Sequence, residues 1–135
     1  VFQLSYYNET VEAELDAWPV GLRARFRALT VRMEEYGPNL GMPHTRALGN
    51  GLFEIRAKAE EGIGRVFFCT MVGRKIVILH SFIKKTDKTP KRELDIALTR
   101  QKEVIVMSDK RVSYYPKKKL ETELPNPEFK KAGEA

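Results

Sequence analysis

Residues 52–83, LFEIRAKAEEGIGRVFFCTMVGRKIVILHSFI, decide the fold of this chain. Residues 52–58 alternate apolar and polar side chains, which predicts a half-exposed strand. Residues 65–72 and 75–83 are almost wholly apolar between charged ends, which is typical of strands covered on both faces. Gly73-Arg74 between them predicts a tight hairpin turn. We therefore predict three consecutive strands that form an antiparallel meander.

The N-terminal part of the sequence predicts one more strand and two helices. Residues 2–7 alternate apolar and polar side chains and are rich in aromatics, which predicts a half-buried strand. Asn8 then has the position of an N-cap for a short helix. Pro19 can start a second helix, which Gly37-Pro38 ends. Residues 37–51 are rich in Gly, Pro and Asn, and we expect a loop there.

A third helix follows the meander. Thr89 is its predicted N-cap and Pro90 its first residue. Its expected inner face comprises Leu94, Ala97, Leu98, Gln101 and Ile105. The predicted order is β-α-α-β-β-β-α, an α+β fold in which a mostly antiparallel sheet packs on helices. We expect residues 1–108 to form one domain and residues 109–135 to be a basic, proline-containing appendage.

Composition excludes several classes of protein. The 135 residues suit one domain, and no apolar run approaches the ~20 residues of a membrane span. The single cysteine, Cys69, excludes an intramolecular disulfide framework and a zinc site built on paired cysteines. No Cys, His and Asp residues have the spacing of metal ligands. We expect a cytoplasmic protein without a metal or cofactor, in which Cys69 packs in the core.

The positive charge is concentrated in one segment. The net charge is +6, and residues 84–92, KKTDKTPKR, carry +4 of it. Lys91 and Arg92 fall in the first turn of the predicted third helix, where the helix dipole disfavours cations. A bound phosphate would compensate for this placement. The alternative is a solvated lysine-rich loop, which is the usual role of a charge run.

A second basic cluster lies on the meander. Arg56 and Lys58 project from the polar face of one strand, and Arg65 opens the next. In a meander these residues can lie near the same sheet end as Lys84 and Lys85. Together they would form a concave basic surface suited to a nucleic-acid backbone.

Each of the two histidines has two interpretations. A lone histidine on an apolar strand, as His80 is, is more often a hydrogen-bonded core residue than a catalytic one. His44 lies in the predicted loop and can reach a substrate, although no partner is evident in the sequence.

The local sequence resembles a known superfamily of toxins. Three stretches are similar to sequences of the RelE/ParE superfamily of bacterial toxin–antitoxin systems. They are GLFEIRAK, then RVFF six residues later, and finally KIVILHSFIKKTDKTPKRELDIALTR. The resemblance is closest to the HigB-like, phage-associated branch, in which L-H-x-F-x-K-K-T precedes a P-K-x-E helix start. It covers roughly residues 2–107, and its specific part is residues 51–103.

The resemblance implies an mRNA interferase that enters the ribosomal A site and inhibits translation. Such toxins cleave RNA without a metal: the 2′-hydroxyl attacks the adjacent phosphate and leaves a cyclic phosphate and a 5′-hydroxyl. By position, Arg56 and Arg65 would bind the scissile phosphate. Two further groups are carried over by position and extend the same surface. They are the catalytic lysines Lys84 and Lys85, and the RNA-binding residues Lys58, Lys88, Lys91 and Arg92.

The proton-transfer residues depart from the pattern of the superfamily. RelE uses a tyrosine near its C-terminal end, and HigB uses aspartate, tyrosine and histidine there. This sequence has Asp87 in that region but no tyrosine before Tyr114. The candidate acid and base are therefore Asp87, His80 or a clustered lysine.

The resemblance also implies partners, and it leaves alternatives open. The expected partners are a helix-turn-helix antitoxin of the HigA kind, mRNA and the ribosomal A site. A ParE-like inhibitor of DNA gyrase would share the fold without cleaving RNA. A third alternative is a non-catalytic RNA-binding or ribosome-binding module, in which the lysines only neutralise phosphates.

Overall fold

The computed structural model describes residues 1–84 and 90–109, with side chains to residue 106, and the backbone of residues 115–116. It contains three helices and a sheet of six strands, the last of only two residues. The elements are β1 (Gln3–Tyr6), α1 (Glu9–Asp16), α2 (Val20–Tyr36), β2 (Thr45–Gly49), β3 (Leu52–Ala59), β4 (Gly62–Met71), β5 (Lys75–Lys84), α3 (Lys91–Asp109) and β6 (Tyr115–Pro116). Over the described residues, none of the helices is long and apolar enough to span a membrane.

The predicted α+β fold is confirmed. The strands lie in the order β2-β3-β4-β5-β1-β6, and β3, β4 and β5 form the predicted antiparallel meander. β1 pairs with β5 in parallel, and all other neighbours are antiparallel. Three residues separate the paired ends Met71 and Lys75 of β4 and β5, and two of them, Gly73 and Arg74, have positive φ, so the predicted tight turn is present.

The two faces of the sheet carry separate apolar cores. The strand period of two sends Val66 and Phe68 of β4 to the face covered by α1 and α2. It sends Phe67 and Cys69 to the face covered by α3. Cys69 is buried in this second core as predicted, and burial raises the pKa of its thiol to about 12. β4 is therefore covered on both sides over most of its length.

The helix boundaries follow local rules. The Asn8 side chain accepts a hydrogen bond of 2.9 Å from the Val11 N–H, which confirms the predicted N-cap. Pro19 precedes the first residue of α2 by one position. Gly37 ends α2 with a φ of 104°, a backbone conformation that favours glycine. The predicted cap Thr89 lies outside the described residues.

The prediction that all of residues 37–51 form a loop is wrong. Residues 45–49 form the edge strand β2, which pairs with β3 through Thr45↔Ile55 and Arg46↔Glu54. All but the first residue of β2 are exposed, so the strand has no apolar alternation that could reveal it. Backbone pairing with β3, not side-chain burial, holds this strand in place.

The predicted inner face of α3 is correct in part. Ala97 and Gln101 are buried, but Leu98 and Ile105 are 38% and 46% exposed. Val104 is buried instead of Ile105. The buried stripe thus advances by alternating steps of four and three residues, and Leu98 and Ile105 lie one position beyond it.

The sheet approaches α1 and α2 most closely at Gly64. A Cβ atom placed there would lie 2.4 Å from the Trp18 ring, which is itself buried and packed edge-on against Phe26. Gly64 also pairs with the small residue Ala57 on β3. The indole therefore occupies the space that a side chain at position 64 would need.

We expect Gly64→Ala to lower the free energy of unfolding by about 1–3 kcal/mol, because the buried indole must shift to admit a methyl group. Urea denaturation measures the loss. In a Trp18→Leu background the same substitution should cost less than half as much, since the clash is gone. Equal costs in both backgrounds would contradict this explanation.

Candidate functional site

The strand register brings the predicted basic residues of the meander together. Arg56 pairs with Arg65, and Arg65 pairs with Phe82, so these three residues form one row across β3, β4 and β5. The next row is Lys58, Ile63 and Lys84. Residues paired across strands project to the same face, here the face on which α3 packs. Phe82 packs against the apolar cluster that α3 covers, so the first row borders that cluster.

Arg46 of β2 joins this group from the sheet edge. It pairs with Glu54, which lies on the same face of β3 as Arg56. We call the group formed by Arg46, Arg56, Lys58, Arg65 and Lys84 the basic surface. Arg46 falls within residues 37–51, for which the sequence predicts a loop, so its place in this group is not evident from the sequence.

A buried carboxylate organises the basic surface. Arg65 Nη1 lies 2.6 Å from Glu54 Oε2, and the two side chains are only 6% and 4% exposed. The second oxygen, Oε1, lies 3.2 Å from Nη2 of the more exposed Arg46. One carboxylate thus bridges two guanidinium groups and fixes the position of Arg65. Strand alternation predicts Glu54 on the same polar face as Arg56 and Lys58, but nothing in the sequence shows that it is buried.

A small cavity lies at this site. A space of about 40 Å³ lies among Arg46, Glu54, Arg56 and Arg65, and Met42 and Pro43 of the preceding loop form its rim. It is large enough for a water molecule and too small for a nucleotide. A ligand as large as a nucleic acid would therefore contact this site from the surface.

His80 lies one row away from Arg65 and is held by α3. It pairs with Phe67 on β4, and its Nε2 lies 2.5 Å from Oε1 of Glu93 in the first turn of the helix. Its ring stacks on Phe82 at 6.2 Å, while Nδ1 is buried and has no hydrogen-bond partner among the described residues. The sequence offered His80 as a candidate acid or base but did not reveal its partner Glu93.

The N-terminal end of α3 presents its two cations differently. Lys91 is exposed, and its Nζ lies 3.9 Å from Asp95 Oδ2. Arg92 borders a separate open hollow of about 490 Å³ with Tyr7 and Thr99. None of the residues of the basic surface lines this hollow.

Part of the predicted site cannot be placed. Lys85, Asp87 and Lys88 lie outside the described residues. Within residues 1–84 and 90–106, no three His, Cys, Asp or Glu side chains come together as a set of metal ligands. The arrangement that can be described is a set of cations around one carboxylate, which can hold an anion such as a phosphodiester.

Residues 13–102 match the family described as Phage derived protein Gp49-like (DUF891). The chain belongs to the Gp49-like family. The match runs from α1 into α3 and includes every residue of the basic surface. Gp49-like proteins are a RelE/HigB-type, toxin-like family associated with toxin–antitoxin systems. Comparison with curated proteins gives no match.

The buried pair Glu54–Arg65 should be important for the stability of this Gp49-like fold. We expect Glu54→Ala to lower the free energy of unfolding by about 3 kcal/mol, because it leaves the buried charge of Arg65 without its carboxylate. Urea denaturation measures the change. The double variant Glu54→Leu, Arg65→Met should recover most of the loss, since it removes both charges together.

The exposed pair Asp16–Arg27 provides the control. Its atoms also lie within hydrogen-bond distance, at 2.8 Å, but both side chains are about half exposed. Asp16→Asn should therefore cost less than about 1 kcal/mol. A loss as large as that of Glu54→Ala would show that burial is not what makes the Glu54 pair important.

Proposed function

We propose that this Gp49-like protein is the toxin of a type II toxin–antitoxin pair and that it cleaves mRNA in the ribosomal A site. The observation that carries the proposal is the row formed by Arg56 and Arg65, which are direct neighbours across β3 and β4. Arg46 and Lys84 extend this row along the same face of the sheet. Membership of a RelE/HigB-type family supports the same conclusion.

The proposed reaction is an internal transfer at phosphorus. A base removes the proton of the 2′-hydroxyl, and the 2′-oxygen forms a bond to the adjacent phosphorus. The bond from phosphorus to the 5′-oxygen then breaks, and an acid protonates the departing oxygen. The products are a 2′,3′-cyclic phosphate and a 5′-hydroxyl, so water is not consumed.

The arginines are suited to the charge that develops in this step. The transition state carries extra negative charge on the non-bridging oxygens, and guanidinium forks can donate two parallel hydrogen bonds to such oxygens. Glu54 holds Arg65 in one position before the substrate binds. A donor fixed in advance needs no reorganisation during the reaction, which is the main source of electrostatic catalysis. Arg56 is less buried and is placed to bind the phosphate first.

We assign proton transfer to the last residue of β5 and the segment that follows it. His80 directs one nitrogen to Glu93, and its other nitrogen is buried, so its proposed role is to position α3. Asp87 and the lysines Lys84, Lys85 and Lys88 remain the proposed acid, base and phosphate ligands. Lys58, Lys91 and Arg92 are proposed to bind more distant phosphates of the message or of ribosomal RNA.

The proposal includes an antitoxin and a division of the chain. The family implies an antitoxin partner, and we propose that it is a helix-turn-helix protein of the HigA kind, acting with this chain in the cytoplasm. We also propose residues 1–108 as the toxin domain and residues 109–135 as an appendage. Co-expression of the antitoxin should restore the growth of cells that express this chain.

Primer extension on an mRNA translated with and without the purified protein tests the activity. We expect cuts only in the translated sample. Arg56→Ala and Lys84→Ala should each lower the cleavage rate about 100-fold, because each removes a cation from the charge that develops at phosphorus. Arg65→Ala is a poorer test, since it also breaks the buried pair with Glu54.

Lys75→Ala is the matched control for Lys84→Ala. Lys75 is exposed at the opposite end of the same strand, so the variant loses the same charge away from the basic surface. It should cleave at the wild-type rate. Arrested growth with intact mRNA would contradict the proposal, and DNA-damage signalling in those cells would favour a gyrase inhibitor.

A further inference from the structure

A second cluster of nitrogen donors lies where α2 meets the loop before β2. Arg25 Nη2 is 3.4 Å from His44 Nδ1. Arg32 lies seven residues after Arg25, two turns further along the same side of the helix. Burial lowers the pKa of His44, and the positive charges of Arg25 and Arg32 lower it further. Both arginines therefore act on the same imidazole.

Neither arginine of this cluster has an acidic partner among the described residues. The neighbouring arginines of α2 differ in this respect: Arg27 forms an ion pair with Asp16, and Arg23 donates to the Asp16 carbonyl. No ion pair joins Arg32 to Glu35, which is one turn further along the described helix. Two cations that act on one imidazole from the same side of a helix repel each other, and an anion would relieve that repulsion.

The hydrogen-bond chemistry of the cluster also favours an anion. A guanidinium group has no acceptor, so in its contact with Arg25 the Nδ1 atom of His44 must accept. The proton of the neutral ring then lies on Nε2, where it can be donated. His44 and the two arginines thus provide donors from three side chains, and the one acceptor among them, His44 Nδ1, is already used by Arg25.

The cluster is connected to the basic surface through one residue. The His44 carbonyl accepts a hydrogen bond of 2.8 Å from the Arg56 N–H. His44 therefore contacts Arg25 of α2 through its side chain and Arg56 of β3 through its backbone, at the point where the edge strand β2 begins. A strand of nucleic acid bound at Arg56 would reach the cluster by passing around this edge.

We propose that Arg25, Arg32 and His44 form a second phosphate-binding site, which takes a backbone phosphate of the RNA strand held at the basic surface. The choice of RNA rests on the proposed function, and the choice of a phosphate rests on the donors. The site increases the affinity of the protein for the RNA and fixes the direction in which the RNA lies. It takes no part in cleavage. It extends the RNA contact of this chain from the sheet to the outer side of α2.

Binding of a non-cleavable strand tests the site independently of cleavage. The probe is a fluorescein-labelled, 12-nucleotide single-stranded RNA whose riboses are all 2′-O-methylated, and its Kd is measured by anisotropy without ribosomes. The double variant Arg25→Gln, Arg32→Gln should raise the Kd about tenfold, because it removes charge-assisted hydrogen bonds to a phosphate. The slope of log K against log salt should fall by about 0.7 for each phosphate that the variant no longer binds.

Arg23→Gln, Arg27→Gln is the matched control, because it removes two charges from the same helix at the positions that contact Asp16. This variant should bind the probe within about twofold of wild type at 150 mM salt, where charges more than about 8 Å from the strand are screened. Urea denaturation of both double variants checks that each is folded.

The outcomes separate this proposal from the proposed function. Loss of affinity only in the Arg25, Arg32 variant supports the second site, even if the protein cleaves no message. Equal affinity of the two double variants overturns it, even if cleavage is confirmed. Unchanged RNA affinity combined with weaker antitoxin binding would also overturn it, since the cluster would then recognise an acidic protein.

Discussion

The central strand β4 is buried on both faces, and this constraint determines where the charged groups of the molecule can lie. Each of its side chains must enter the core under α1 and α2 or the face that carries α3. Arg65 is the one charged residue of this strand, and it is buried because Glu54 of β3 supplies a carboxylate beside it. A cation held in this way is costly to desolvate and is rigid once paired. Because β4 is buried on both faces, its one arginine must be paired with a carboxylate, and this pairing fixes the Arg65 guanidinium group in position.

Much of the fold can be predicted because local patterns and tertiary contacts agree. The two apolar runs of β4 and β5, the Gly73-Arg74 turn and the Asn8 cap each follow from a few neighbouring residues. The strand β2 could not be predicted, because its exposed residues are held by backbone pairing to β3. The stripe of α3 was misplaced by one position at Leu98 and Ile105, since a helix with apolar residues on several sides does not show which side the sheet will contact.

The candidate site also contains residues that the sequence could predict and residues that it could not. Arg56, Arg65 and Lys84 follow from strand alternation and meander register, and the register does bring them together. Glu54, Arg46 and Glu93 were missed as partners, because each pairing depends on which elements become neighbours in space. A glutamate on the polar side of a strand is expected in solvent. Glu54 is buried here because Arg46 on one side and Arg65 on the other bring their guanidinium groups to its carboxylate on the same face of the sheet.

The parallel pairing of β1 with β5 has a consequence for biosynthesis. β3, β4 and β5 are joined by short connections and can associate as soon as they are made, whereas Gln3 finds its partner only at Lys75. Pairing over such a separation is slow, because a long loop must close before the two strands can bond. The first strand of this chain must therefore wait until β5 has left the ribosome. If the chain acts on ribosomes, the ribosome that makes it has released the whole meander before β1 can complete the sheet.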